Sequence, residues 1–240
     1  RNQMAAARRV VVTGVGLVTP LGVGTEPVWR ALTAGRSGIS SLEGDEYATL
    51  PCRIAGVVPR DGGDHAFDDK HWVDASQARA VAPFSAFALS AAEQALADAR
   101  FALWSSSPAG EHGDGHGSGD GGAHLAHKRG DALLNARSYR CGVAFGSGIG
   151  SMQDIADAAV TMKERGYRRV SPFFVPRALV NMAAGQIAIR HGFRGPNHAA
   201  STACATGAHA IGDAFRMIAR GDADLMVAGA AEAAITPLSI

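Results

Sequence analysis

Residues 84–99 repeat apolar side chains at helical spacing. Phe84, Phe87, Ala88, Ala91, Ala92, Ala95 and Leu96 share one face, with Glu93 and Asp98 on the other. The stretch predicts an amphipathic helix that must bury one side, so the chain needs a packed core around it. Short strand signals lie before and after. Val10, Val11 and Val12 lead into Thr13-Gly-Val-Gly16 and read as a buried strand entering a tight turn. Residues 54–58, bounded by Pro51 and Pro59, predict a second strand. Cys141-Gly-Val-Ala-Phe145 predicts a third, ahead of the glycine turn Gly146-Ser-Gly-Ile-Gly150. Further helices are expected over 25–35, 152–166 and 181–191. The hydrophobic share is 47% but aromatics are only 6%, so the core must be built from Ala, Val, Ile and Leu, which suits tightly packed α/β layers. A chain of 240 residues allows one large domain or two of ordinary size.

Charge and composition exclude several classes. A net charge of +1, with no face loaded with Lys and Arg, offers nothing to a nucleic acid. No run of about 18 apolar residues is available to span a membrane. Cys52, Cys141 and Cys204 stand far apart without C-x-x-C spacing, which argues against a disulfide framework or zinc knuckle and for a reducing compartment. Residues 105–130 are rich in Gly and Ser and carry His112, His116, His124 and His127, so they read as a disordered insertion. Those histidines have metal-like spacings, but Gly-rich flanks give them no fixed geometry, and no metal or cofactor is assigned. Up to Glu26 the chain is acid-free, with Arg1, Arg8 and Arg9, as the remnant of an organellar transit peptide or a plain exposed basic arm over residues 1–9 would be.

The chemistry concentrates at the third cysteine. Ser201-Thr-Ala-Cys-Ala-Thr-Gly207 reads as a short strand over 200–202, a sharp turn, and a helix over 206–220 with Ile211, Phe215 and Ile218 on one face. Cys204 then stands at a helix N-terminus, where free N–H groups and the helix dipole favour thiolate over thiol. Its own N–H is placed to stabilise an oxyanion, as in a nucleophile elbow, while Ala203, Ala205 and Gly207 leave room for a substrate carbonyl. From these residues alone Cys204 is either such a nucleophile or a small buried hydrophobe among alanines. Cys52 and Cys141 have no comparable setting.

Five segments together resemble one family. They are Arg9-Val-Val-Val-Thr-Gly-Val-Gly-Leu-Val-Thr-Pro-Leu-Gly22, Ser171-Pro-Phe-Phe-Val-Pro176, Asn181-Met-Ala-Ala-Gly185, Ser201-Thr-Ala-Cys-Ala-Thr-Gly207 and Gly221-Asp-Ala-Asp-Leu-Met-Val-Ala-Gly229. In this order they are similar to the β-ketoacyl-[acyl-carrier-protein] synthases, the condensing acyltransferases of fatty acid synthesis. Pro196-Asn-His-Ala199 and Thr25-Glu-Pro-Val-Trp29 are most similar to the animal mitochondrial members. The resemblance implies an α/β, thiolase-like layered fold, with residues 10–240 supplying its first half and the start of the remainder. It also implies a homodimer, acyl carrier protein as the partner bearing acyl and malonyl groups, and a mitochondrial matrix location, with the cytoplasm as the alternative. Cys204 would take an acyl group as a thioester, and the carbanion left when malonyl-carrier protein loses carbon dioxide would attack it. Matching positions make Ile149 and Phe174 acyl-pocket residues, Phe174 reaching across the dimer, or else ordinary core residues.

Two features depart from the family pattern. Histidines in later motifs of His-Gly-Thr and Gly-Phe-Gly-Gly-His type, with a lysine between them, are absent from these 240 residues. His209 is no substitute, because five helical residues rotate it about 140° from the thiol. The expectation is therefore a truncated chain inactive in condensation, or an interaction module that pairs with a complete protomer or binds carrier protein. The 105–130 insertion is the second departure, either a lineage-specific loop or translated non-coding sequence. A nucleotide-binding dehydrogenase is the rival enzyme class, but Gly14-x-Gly16 has Thr19 in place of a third glycine, and no acid follows a second strand at the required distance.

Overall fold

The computed structural model describes residues 8–61, 63–101 and 137–240. The 105–130 insertion and the 1–7 part of the arm lie outside them. Two short antiparallel pairs come first: β1 (Val18–Thr19) with β2 (Gly22–Val23), and, after helix α1 (Thr25–Thr33), β3 (Ser40–Ser41) with β4 (Ile54–Ala55). The one-turn α2 (Asp69–Trp72) precedes α3 (Pro83–Asp98). Proline at the start of α3 has no N–H to lose there and carries a φ suited to a first helical turn.

The centre is a parallel sheet in the order β6-β5-β7, made of β5 (Cys141–Gly146), β6 (Asn197–His198) and β7 (Leu225–Ala230). Helices α4 (Met152–Arg165), α5 (Phe174–Ala178) and α6 (Met182–His191) lie between β5 and β6 in the chain, and α7 (Thr206–Arg220) connects β6 to β7. Register places Val143 opposite Asn197 on one side and Val227 on the other. Every residue of β5 is buried, as expected of a parallel strand with helices on both faces. Cys141, Val143 and Phe145 join Phe84, Leu89, Ala183 and Ile187 in a core with α3 and α6. Ala144 packs with Ala210 and Ala214 of α7 on the opposite face. The small side chains on that face let α7 lie close to the sheet, and this layer carries the cysteine turn.

The predicted helices are present to within two residues of their expected ends. The strands are less regular. Only residues 54–55 of the expected 54–58 strand are paired, and residues 200–202 form none, the ladder on that side ending at His198. The expected strand at Val10–Val12 is not formed either. Residues 14–17 run beside α3, whose side chains take two of their donors: Val15 N donates to Asp98 Oδ2 at 2.9 Å and Leu17 N to Gln94 Oε1 at 3.1 Å. A β-carbon at Gly14 or Gly16 would overlap the Ala95 or Ala91 carbonyl, so glycine is what permits this crossing. Val11 and Val12 are left exposed. The Ile211, Phe215 and Ile218 face of α7 lines an open hollow of about 430 Å³ with residues 10–16 and β7.

Arg140, just before β5, donates through Nη2 and Nε to Asp224, just before β7, at 2.8 and 3.1 Å, while Arg8 Nη1 reaches the same carboxylate at 2.7 Å. The Arg140 hydrogen bonds hold the Asp224 carboxyl below the usual carboxylate range. At the far end of α6, His191 is buried beside Phe193, with Nε2 lying 3.7 Å from Glu93 Oε1 and making no hydrogen bond among the described residues. Burial lowers its pKa, against an opposing pull from Glu93 and with a further lowering by Arg190.

Two outcomes follow for stability. Leu89→Ala, which empties a fully buried site between α3 and the sheet, lowers the unfolding free energy by about 2–5 kcal/mol in urea titration. The exposed Ile155→Ala stays within about 0.5 kcal/mol of the parent. A histidine whose folded pKa is depressed binds its proton more readily in the unfolded chain. The stability from keeping His191 neutral is therefore complete above about pH 6.5 and is lost as pH falls below it. The urea midpoint of the parent should fall more steeply between about pH 7 and pH 5 than that of His191→Gln.

Candidate active site around Cys204

All three parallel strands end at the same edge of the sheet, and their C-terminal extensions meet there. Beyond β5 comes the 147–150 turn, beyond β7 comes Glu232, and beyond β6 the chain passes through Ser201 and Thr202 into a single 3₁₀ turn, Ala203–Ala205, that leads into α7. Ligand sites of open parallel sheets form outside the carboxyl ends of the strands for this geometric reason. Cys204 is the middle residue of the 3₁₀ turn, and its side chain is exposed. It thus stands ahead of the helix cap, Ala205, and not within the helix itself.

The turn is strained and braced. Ala203 has φ +50°, a left-handed conformation that costs a residue with a β-carbon about 1–2 kcal/mol. Thr206, fully buried, offsets that cost: its Oγ1 accepts from Thr202 N at 2.9 Å and donates to the Ala203 carbonyl at 2.8 Å. Ala205 N donates to the Thr202 carbonyl at 3.1 Å. His209 Nδ1 lies 2.8 Å from Thr202 Oγ1, so its imidazole is engaged on the residue two before the thiol. Of the alanines expected to leave room, Ala203 and Ala205 flank the thiol directly and are exposed.

The glycine turn after β5 presses on this elbow from the side. Ser201 Oγ donates to the Gly148 carbonyl at 3.2 Å, and a β-carbon on Gly148 would stand 3.3 Å from Ala203 Cα. One on Gly146 would overlap the Ala200 carbonyl. Ile149 therefore sits in a turn that touches the cysteine elbow, and it is 49% exposed, too open for a core residue. Phe174, half-buried at the start of α5, lines a separate hollow of about 310 Å³ with Phe173, Asp154 and Arg177. Neither Cys204 nor Ile149 lines that hollow. Arg177 crosses it, its Nε donating to Asp154 at 2.6 Å and its Nη1 to the Val81 carbonyl at 2.7 Å.

Glu232, Ser147 and Thr206 escaped the sequence reading. An acid following the apolar Leu225–Ala230 strand was the available signal for Glu232. Ser147 and Thr206 are common residues whose roles show only when distant segments meet. The other cysteines differ in kind. Cys141 is buried within β5, and burial pushes its thiol up to about 11, whereas Cys52 is exposed on the 51–53 segment with its Sγ directed at the Ile54 carbonyl.

Comparison with known proteins gives a consistent result. The model of the β-ketoacyl synthase N-terminal domain matches residues 7–110 and 123–240, leaving a gap inside the expected insertion. A 3-oxoacyl-[acyl-carrier-protein] synthase 2 of Rhizobium meliloti is 43% identical over 234 residues, covering 97% of this chain and 49% of that protein. The mitochondrial 3-oxoacyl-[acyl-carrier-protein] synthase of Arabidopsis thaliana is 42% identical over 247 residues, covering 97% and 47%. Among solved structures, a β-ketoacyl synthase from Burkholderia phymatum superposes with TM-score 0.65 at 29% identity, over 92% of this chain and 46% of that one. The chain thus spans about half the length of the curated relatives it matches.

The accessibility of the three thiols can be checked directly. In native protein at about pH 8, iodoacetamide should label Cys52 and Cys204 and leave Cys141 unmodified, with Cys141 becoming reactive only in urea. Peptide mass spectrometry reads each site separately.

Proposed function

The chain belongs to the β-ketoacyl synthase family, and from that premise we propose that Cys204 is the nucleophile of a 3-oxoacyl-[acyl-carrier-protein] synthase. The observation that carries this reading is an exposed thiol on a strained elbow at the carboxyl edge of a parallel sheet, directly before a fifteen-residue helix. The Cys204 thiolate attacks the carbonyl carbon of an acyl thioester carried by acyl carrier protein. The carbonyl oxygen takes up negative charge and is met by the N–H of Cys204 itself. Collapse breaks the bond to the carrier sulfur, which leaves as a thiolate and takes a proton, while the acyl group stays on Cys204.

In the second step malonyl-carrier protein loses carbon dioxide, and its carbanion attacks the Cys204 thioester. A carbon–carbon bond forms, the Cys204 thiolate departs, and a 3-oxoacyl chain longer by two carbons remains on the carrier. This step needs donors for the developing enolate, which the family resemblance puts in histidine motifs that are not among these 240 residues. Condensation is accordingly proposed for a polypeptide carrying those motifs as well, and acyl transfer to Cys204 for the residues present.

Ile149 is proposed to border the acyl chain, supported by its exposure beside the elbow. Phe174 is proposed to reach the acyl pocket across a dimer, supported by its half-buried place on the rim of the open α4–α5 hollow. A homodimer accords with β6, a short outer strand whose Asn197 and His198 are exposed and whose far edge carries no partner strand among the described residues. A mitochondrial setting accords with the relatives of that compartment in Arabidopsis and Schizosaccharomyces pombe, alongside bacterial relatives of similar identity. A second reading, an interaction module that docks a complete protomer, is favoured by the half-exposed Ile211 and Phe215 on α7.

Incubation with acyl-carrier protein bearing a saturated acyl chain separates the two. Intact-mass and peptide mass spectrometry should show one acyl group per chain, on Cys204, and none in Cys204→Ala. An unmodified Cys204 with the chain still folded would overturn the nucleophile reading and leave the docking one.

A further inference from the structure

Glu232 receives more donors than any other side chain at the carboxyl edge of the sheet. Its Oε1 accepts from Ser147 Oγ at 3.1 Å, and its Oε2 accepts from the N–H groups of Gly148 and Ile149 at 2.9 and 3.0 Å. Ser147 is fully buried and its Oγ accepts in turn from Gly150 N at 3.1 Å, so a single carboxylate organises the whole turn from 147 to 150. The carboxylate is itself fixed in space. It lies two residues beyond β7, and Ala231 N donates to the Gly146 carbonyl at 3.1 Å, extending the β5–β7 ladder to its base.

The far side of the same turn touches the cysteine elbow. Gly148 takes the Ser201 hydroxyl on its carbonyl and packs against Ala203, the strained residue next to Cys204. A β-carbon on Gly148 would stand 3.0 Å from Glu232 Oε2 and 3.3 Å from Ala203 Cα, so this glycine is held between the acid and the elbow. Charge-assisted hydrogen bonds to backbone N–H groups are shorter and stronger than neutral ones, and two of the three here end on adjacent amides. Ile149 is held through its N–H while its side chain is half in solvent.

We propose that Glu232 is a positioning residue for the acyl-transfer site. It holds the 147–149 turn against the elbow and thereby sets where Ile149 and Cys204 stand relative to each other. This deepens the assignment of Cys204 as nucleophile and rests on it. Glu232 does not touch the acyl group, and its effect on acylation passes through Gly148, Ser201 and Ala203.

The substitutions Glu232→Gln, Glu232→Asp and Glu232→Leu separate reach from charge. Glutamine keeps the length: its oxygen accepts the two backbone N–H groups and its nitrogen donates to Ser147 Oγ. Aspartate keeps the charge but is one methylene short of the turn. Acylation of Cys204 by acyl-carrier protein, measured per folded molecule, should stay within about threefold of the parent in Glu232→Gln and fall about tenfold or more in Glu232→Asp and Glu232→Leu. A purely structural staple would lower the urea midpoint in all three without this ordering of rates. Where Glu232→Leu does not fold, the Gln and Asp pair decides.

Amide hydrogen exchange supplies an arm that does not depend on the thiol. In Glu232→Asp, exchange should quicken in residues 147–150 and also in 201–205, while β5 and β7 keep the parent's protection. Quickening confined to 147–150, or acylation in Glu232→Asp equal to the parent's, overturns the proposal. If parent Cys204 takes no acyl group, the nucleophile assignment fails, and the exchange at 201–205 alone decides whether Glu232 holds the elbow.

Discussion

Burial of β5 on both faces is the constraint from which the rest of the structure hangs. Its six residues give Cys141, Val143 and Phe145 to the core with α3 and α6, and Ala144 to α7. β7 pairs along all six of its residues and β6 beside Val143 and Ala144, as a strand buried on both faces needs for its backbone groups. Once β5 is in place, α7 has one position available, pressed on the small residues Ala144, Ala210 and Ala214. The 3₁₀ turn carrying Cys204 is the N-terminal extension of that helix, so its location is a consequence of packing far from the thiol.

Strain in the elbow is affordable because the surroundings are stiff. Ala203 takes a left-handed φ between a buried threonine that grips its carbonyl and a glycine turn that presses its α-carbon. The arrangement holds a small, exposed thiol ahead of the helix, and the neighbouring alanines are small enough to leave its approach open. The same site shows how a fold distributes labour. The thiol comes from the β6–α7 connection, Ile149 from the turn after β5 and Glu232 from the end of β7. Each strand delivers one part to a common edge.

The N-terminal segment shows the limits of local pattern. Three consecutive valines before a glycine turn have strong strand character, yet they pair with no strand, and just after them the N–H groups of Val15 and Leu17 are taken by Asp98 and Gln94 of α3. Strand propensity alone does not form a strand: the outer edge of β7 has no partner strand among the described residues, yet residues 10–12 make no ladder with it. The apolar face of α7 raises the converse point. Ile211, Phe215 and Ile218 are regular enough to be read from spacing, but spacing does not say whether such a face is buried, and here it borders an open hollow.

The sequence by itself determined the longer helices, the strand beginning at Cys141, the α/β class and the cysteine most worth attention. Those features are encoded in periodicity and in local residue chemistry, and the motif order around them marks the family. Tertiary structure decided what depends on distant segments meeting. It placed Cys204 ahead of the helix on a 3₁₀ turn, ended the third strand at His198, drew residues 10–16 away from the sheet and joined Glu232 to a turn 83 to 85 residues earlier. No local pattern encodes those pairings, because a hydrogen bond between remote groups depends on where the packed core puts their backbones.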